Sequence, residues 1–176
     1  RMIQESDGST EHKLRENKRL DSLMAYCEAS GCRKKILLAY FGQSIDNCAN
    51  CDNCLNPPEL IDGTEEAQLV MQTIKNTGEY FGAVHVVNII RGTSTEKIRH
   101  RNHDQLESYG RGVELPNNFW HSLIRQLIAS VKIAIDLERF GALRITKEGT
   151  QIIGGQEKFQ YKKNMLQKVK PKVIKT

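Results

Sequence analysis

The sequence predicts a mostly helical α+β protein built as two units, and three observations carry that prediction. Apolar residues recur at helical spacing through most of residues 9–128. One stretch, near 131–146, alternates apolar and polar side chains instead. A polar, cysteine-rich segment ending in Pro57 and Pro58 separates the two parts, because consecutive prolines interrupt backbone hydrogen bonding. At 176 residues, 39% hydrophobic and 27% charged, the chain has the composition of a soluble globular protein. No window holds 18 uncharged apolar residues and Arg1 to Lys13 contain no apolar run, so the expectation is a cytoplasmic protein with no membrane span and no secretory signal. The chain opens on Arg1 within a charged stretch, the look of a piece of something longer.

The first unit, residues 1–60, begins with a helix predicted over Ser9 to Ser30, where Leu20, Leu23, Met24 and Cys27 form an apolar face and Gly31 stands at the C-cap. A second helix runs from Cys32 or Arg33 to Phe41, burying Ile36, Leu37, Tyr40 and Phe41, and stops at Gly42. Asp46 to Asn56 is rich in Asn, Asp and Cys and has no apolar period, so burial alone cannot give it a shape. The second unit, residues 61–154, starts with a helix after Thr64 that has Glu65 and Glu66 in its first turn and Ala67, Val70, Met71 and Ile74 on its inner face; Gly78 ends it. Ala83 to Ile90 is read as helix from Val84, Val87 and Ile90, although its β-branched composition also suits a strand. Asn117 and Asn118 precede the clearest helix, with Trp120, Leu123, Ile124, Leu127 and Ile128 as core. A hairpin follows, Val131 to Leu137 and Ala142 to Thr146, turning at Gly141, and Lys147 to Ile153 returns as a half-helix. Three helices followed by a two-stranded hairpin is the order of a winged helix, a helix-turn-helix variant. Residues 155–176 are read as a basic tail or linker.

Charge is unevenly placed. Residues 1–60 carry 8 basic and 9 acidic side chains, 61–155 carry 11 of each, and 156–176 carry 7 and 1, so the net +5 belongs to the tail. Within the second unit Arg91 to Arg111 is locally basic.

The five cysteines, at 27, 32, 48, 51 and 54, give C-x15-C-x2-C-x2-C for the last four. Two-residue gaps let turns aim several thiolates at one point while a helix delivers another, which is the requirement of tetrahedral zinc. Disulfides fit poorly with an odd count in a cytosolic chain, and an iron–sulfur cluster and unligated thiols are the other readings. Four sulfur ligands leave no open position, so the expected site is structural. Cys27, on the apolar face of the first helix, is read as a buried core thiol.

The runs CRKKILLAYFG (Cys32 to Gly42), CANCDNCLNPP (Cys48 to Pro58), IIRGTSTEKIR (Ile89 to Arg99), HDQLESYGRG (His103 to Gly112) and FWHSLIRQLI (Phe119 to Ile128) resemble the RecQ family of DNA helicases over about residues 9–153. The matching region lies between the second motor lobe and the C-terminal HRDC region; residues 1–8 resemble the end of the motor lobe. The resemblance implies zinc on Cys32, Cys48, Cys51 and Cys54, and a winged helix that binds duplex DNA near a single-strand junction. In some members the hairpin prises strands apart; here it is short, as in bacterial members. The resemblance also implies a monomer joined to motor lobes of the same parent chain, an ATP-dependent 3′ to 5′ helicase of recombination, repair and replication. It would be nucleoid-associated if bacterial and nuclear if eukaryotic.

Phosphate chemistry favours Lys and Arg, hydroxyls and helix N-termini. By that chemistry, and by matching the family's turn, the candidate DNA contacts are Arg91, Thr93, Ser94, Lys97 and Arg99, Arg125 on the third helix, and Arg139 and Phe140 at the wing tip. Each arginine is alternatively a solvated charge, Arg125 a salt-bridge partner, and Phe140 a cover for the hairpin. Arg33, Lys34 and Lys35 are either an exposed helix face or a further contact. His100, His103 and His121 fit no ligand pattern and are expected to form hydrogen bonds.

No G-x-x-x-x-G-K-[ST] motif occurs: Gly149 to Gly154 lacks the lysine. ATP and Mg2+ are therefore expected only in the parent's motor, and no catalysis from this chain alone. Two other readings remain open, a zinc-containing winged-helix transcription regulator and a protein-docking adaptor.

Overall fold

The computed structural model describes residues 10–136 and 139–162. The first unit holds helices α1 (Thr10–Glu28), α2 (Arg33–Tyr40) and α3 (Asp52–Leu55). After strand β1 (Leu60–Asp62) come α4 (Thr64–Asn76), α5 (Ala83–Ile90), α6 (Glu96–His100), a 3-10 turn at His103–Gln105, and α7 (Asn117–Ala129). Strands β2 (Ile133–Asp136) and β3 (Ala142–Ile145), helix α8 (Lys147–Ile153) and strand β4 (Gln160–Lys162) complete it. None of the described helices is long and apolar enough to cross a membrane.

Helices α4, α5 and α7 with the β2–β3 hairpin are a winged-helix arrangement. Ala67, Val70, Met71 and Ile74 of α4 meet Val86, Val87 and Ile90 of α5 and Phe119, Trp120, Leu123, Ile124 and Leu127 of α7 in one core. The α7 stripe is thus the inner face that its period predicts. On α5 the helix forms, but Val84 points outward and His85, Val86 and Ile89 are buried, so the inner face is rotated from the Val84–Val87–Ile90 expectation. Helix α6 was not predicted: only Ile98 is buried, and a one-turn helix has too few positions to show a period. The wing pairs antiparallel with Ile133 opposite Ile145 and Asp136 opposite Ala142, and Phe140 and Gly141 at its tip take left-handed φ values of 53° and 83°. Leu137 and Glu138, part of the predicted hairpin, lie outside the described residues.

Two further expectations need correcting. The first concerns the tail, whose beginning belongs to the core. Strand β4 pairs antiparallel with β1, Ile61 opposite Tyr161, and Phe159 and Tyr161 are buried. The Gly63 N–H donates to the Phe159 carbonyl (2.9 Å), the Phe159 N–H to the Thr64 hydroxyl (3.0 Å), and a Cβ on Gly63 would lie 2.3 Å from the Tyr161 ring. Two aromatics among lysines form no periodic pattern, and the partner strand lies a hundred residues upstream, so the sequence conceals the pairing. The rest of the predicted tail, 163–176, lies outside the described residues.

The second correction is α1. Leu20, Leu23, Met24 and Cys27, read as its buried face, are exposed, and Ala25 and Ala29 are buried instead. Leu37 and Phe41 of α2 are exposed as well. The seam of small residues lets α1 lie close against α7, where the Glu28 carboxylate accepts from Arg125 Nη2 (2.6 Å) and from the Ser122 hydroxyl (2.5 Å). The larger side chains line an open, largely apolar groove with a volume near 490 Å³, whose walls are Leu23, Tyr26, Ile36, Leu37, Ile128 and Val131.

Candidate metal centre and nucleic-acid interface

The polar stretch between α2 and Pro57 contains no buried residue: residues 42–56 are all exposed or half-buried. Its shape comes from converging thiols. Cys32 occupies the N-cap of α2, where its Sγ accepts the N–H of Lys35 (3.5 Å) and of Cys48 (3.3 Å). Cys51 occupies the N-cap position of α3, so Cys54 follows one turn later, and Ala49 turns the chain between Cys48 and Cys51 with a left-handed φ of 54°. The Cys51 sulfur accepts the Arg33 N–H (3.4 Å). The sulfurs of Cys32, Cys48, Cys51 and Cys54 all lie within 4.8 Å of one another, the one such cluster of possible ligands among the described residues.

The donor set suits a thiophilic divalent cation. Two backbone N–H groups, those of Cys48 and Lys35, lower the Cys32 thiol to about 6, while Cys54 is pushed up to about 11, first by its hydrogen bond to the Cys51 sulfur and then by desolvation. Four sulfurs this close cannot all carry a negative charge unless a cation lies among them, so thiolate ligation and metal binding are one event. The surrounding contacts hold the knuckle to the helices. Arg33 forks onto Asp52 through Nε–Oδ1 (3.0 Å) and Nη2–Oδ2 (3.0 Å) and also donates to the Cys27 carbonyl (3.1 Å), and Asp52 is held below the usual carboxylate range by that guanidinium. The Asn53 amide donates to the carbonyls of Ala29 (3.0 Å) and Gly31 (2.8 Å). Arg33 is therefore a brace of the cysteine site, while Lys34 and Lys35 stay exposed.

The second cluster is on the winged helix. The turn after α5 is fixed from several sides: Gly92 has a φ of 65° and packs against Gly110, the Tyr109 hydroxyl donates to the Gly92 carbonyl (2.9 Å), and the Thr93 N–H donates to Asn88 (2.8 Å). Trp120 Nε1 donates to the Gly112 carbonyl (2.9 Å), which ties the same loop to α7. This frame leaves Thr93, Ser94, Lys97 and Arg99 exposed on one turn. Arg91 is half-buried and donates to the Leu115 carbonyl. Thr95, which the sequence did not mark out, caps α6 by accepting the Ile98 N–H (3.2 Å). Arg125 departs from the expected set: its guanidinium is paired with Glu28 across the α1–α7 seam and only 20% of its side chain is exposed, because it projects from the flank of α7 that packs on α1.

The wing and the basic turn meet at a dipeptide. Lys97 Nζ lies 5.0 Å over the Phe81 ring and the Arg139 guanidinium 4.9 Å over the Tyr80 ring. The Phe81 carbonyl accepts the Leu143 N–H of β3 (3.0 Å), so the α4–α5 connection forms a third rail beside the wing. At the wing tip Phe140 is 86% exposed, which excludes a role in covering the hairpin. His85 and His103, one expected only to hydrogen-bond and one not singled out, share a ring hydrogen bond (2.9 Å), with His85 stacked on Phe81. Desolvation first, and then the charge of His103, lowers His85 to about 4.

Residues 1–55 match the family described as RecQ zinc-binding, and residues 57–170 the one described as RQC domain. An ATP-dependent DNA helicase RecQ of Haemophilus influenzae is 39% identical over 145 residues, 81% of this chain and 23% of that protein. One of Pasteurella multocida is 38% identical over 79% of this chain and 22% of its own length. The ATP-dependent helicase SGS1 of Saccharomyces cerevisiae is 30% identical over 70% of this chain and 10% of its own. The chain thus spans less than a quarter of the length of each of these three relatives.

Proposed function

Since the chain belongs to the RecQ family, as its C-terminal zinc-binding and RQC region, we propose that it is the DNA-gripping accessory part of an ATP-dependent 3′ to 5′ helicase of recombination, repair and replication. The observation that carries this is the meeting of two cationic elements at Tyr80–Phe81. Lys97 from the basic turn and Arg139 from the wing rest on adjacent rings, with exposed Thr93, Ser94 and Arg99 alongside. Cations and hydroxyls spread over a rigid surface complement a phosphate backbone, and they carry no base-edge code. The bound partner is duplex DNA next to a single-strand junction, without sequence preference. The contact set we infer is Arg91, Thr93, Ser94, Lys97, Arg99, Arg139 and Phe140, with Arg125 left out because its guanidinium is paired with Glu28.

Zinc on Cys32, Cys48, Cys51 and Cys54 supplies cohesion where there is no core. When bound it neutralises the four thiolates and cross-links α2 to the 48–54 knuckle. The chain's own residues then fix where that knuckle lies, Arg33 through Asp52 and Asn53 through Ala29 and Gly31. ATP and Mg2+ act in the motor lobes of the parent chain, and the unpartnered leucines of α1 and α2 offer those lobes an apolar face, which keeps the region monomeric in the whole protein.

Fluorescence anisotropy tests the reading. Forked and overhang DNA should bind more tightly than blunt duplex, whatever the sequence, with affinity falling steeply as salt rises. Preference for one blunt sequence would indicate a transcription regulator, and absence of binding at low salt a protein-docking adaptor.

A further inference from the structure

Tyr80 lies outside the buried core, yet its place is unusually constrained. Gly78, with a φ of 72°, leaves the ring edge the space that a side chain would take, since an added Cβ would lie 3.1 Å from Tyr80 Cδ2, and Glu79 follows in a left-handed conformation (φ 59°). The Glu79 carboxylate then reaches into the wing, accepting the Ile145 N–H (3.5 Å) and lying 3.5 Å from Arg144 Nε. On the other side, Phe81 bonds to Leu143, and a Cβ on Gly82 would lie 3.2 Å from the Gly141 carbonyl. The segment is therefore clamped to the wing at both ends, while Tyr80 itself stays 64% exposed and carries the Arg139 guanidinium 4.9 Å above its ring. A ring held so rigidly and covered so little contributes little to the core. What it offers is a flat, amphipathic surface.

The geometry points to a nucleobase-stacking shelf, made by Tyr80 and Arg139 from two separate elements, that receives an unpaired base where duplex gives way to single strand. The inference rests on the DNA-binding reading above and adds a residue outside the hairpin to it. Aromatic rings and guanidinium planes both stack on bases, and they do so whatever the base, because every base has a π face. Charge argues for an anionic partner over an apolar peptide, and the exposed ring beneath a guanidinium favours a nucleobase over an acidic side chain. Among the described residues, the carboxylates of Glu79 and Asp136 are engaged with Arg144 and Arg139 inside the wing, whereas Lys97, over the neighbouring Phe81 ring, is placed to meet the phosphate of a neighbouring nucleotide. Paired bases inside a duplex hide their faces and a blunt end offers only a terminal pair already stacked on one side, so the shelf favours a junction with an extrahelical base over a blunt end, which a set of phosphate contacts alone does not.

The test uses the 176-residue chain with a duplex bearing a 3′ overhang, with 2-aminopurine at the first unpaired position, and with the same duplex blunt-ended. Wild type quenches the 2-aminopurine on binding. Tyr80→Ala should abolish the quenching and weaken overhang binding about tenfold, as loss of one stacked base predicts, with a clearly smaller loss on the blunt duplex, where only the seat of Arg139 is disturbed; Tyr80→Trp should restore both signals. Equal weakening on both DNAs, or quenching that survives Tyr80→Ala, overturns the shelf while leaving the grip intact. A wild-type chain that binds neither DNA at low salt overturns the DNA-binding reading, and the shelf with it.

Discussion

Removing the metal separates the two units by what stabilises each. In Cys51→Ala, or after chelation, the 42–56 stretch keeps a few polar braces, the solvent-screened Arg33–Asp52 fork and the two Asn53 bonds, the latter each worth on the order of 1 kcal/mol net. Structural zinc in small peptides contributes roughly 10 to 16 kcal/mol of apparent binding energy at neutral pH. No residue of 42–56 is buried, so nothing apolar replaces that contribution. The second unit draws its stability from a core that includes Trp120, Phe119, Met71, Ile124 and Tyr161 and has no cysteine among its members. Hydrogen exchange followed by mass spectrometry, on protein whose metal content is quantified, should therefore show protection lost across 33–56 and retained in α4, α5 and α7. Unchanged exchange at 43–56 in demonstrably metal-free protein would refute the reasoning, and so would simultaneous collapse of the α4–α7 core.

Four further outcomes follow from particular contacts. Glu28→Ala leaves Arg125 half-buried without its partner and should cost about 1 to 3 kcal/mol, less than a fully buried pair, read as a lower melting temperature and faster exchange in α1. Phe159→Ala empties a core position and should cost about 3 to 5 kcal/mol in denaturant unfolding, whereas a dispensable tail would show nothing. Lys97→Ala should weaken binding to all DNAs and reduce the slope of log affinity against log salt by about 1. The fourth concerns acid. His85 titrates near 4 when folded and at its ordinary 6.5 when unfolded, so the unfolded chain takes up the proton first. Stability conferred by the neutral ring is full above 6.5 and is lost as pH falls from there to about 4. His85→Phe should flatten the melting temperature over that window.

Much of this protein can be read along the chain because the determining forces are local. Helical period in α4 and α7, alternation in β2 and β3, and the left-handed turn at Gly141 each depend on residues within a few positions. The cysteine spacing belongs with them, since two-residue gaps and a helix N-cap are short-range geometry, and the four sulfurs converge as that geometry requires. Where period was a poor guide, on α1, the reason is that an apolar stripe marks a surface that wants a partner and does not say whether the partner is in the same chain. Leu23 and Leu37 remain exposed, and the tighter seam formed through Ala25 and Ala29.

Contacts between distant elements were decided by the tertiary structure alone. Glu28 meets Arg125 across 97 positions, converting a candidate DNA contact into a strut, and Tyr161 pairs with Ile61 across a hundred, drawing the start of a lysine-rich tail into the core. Tyr80 under Arg139 belongs to the same class. Local sequence sets which backbone shapes and ligand geometries are cheap; which side chains then stay free to touch another molecule depends on how the finished elements pack, and packing is a property of the whole chain.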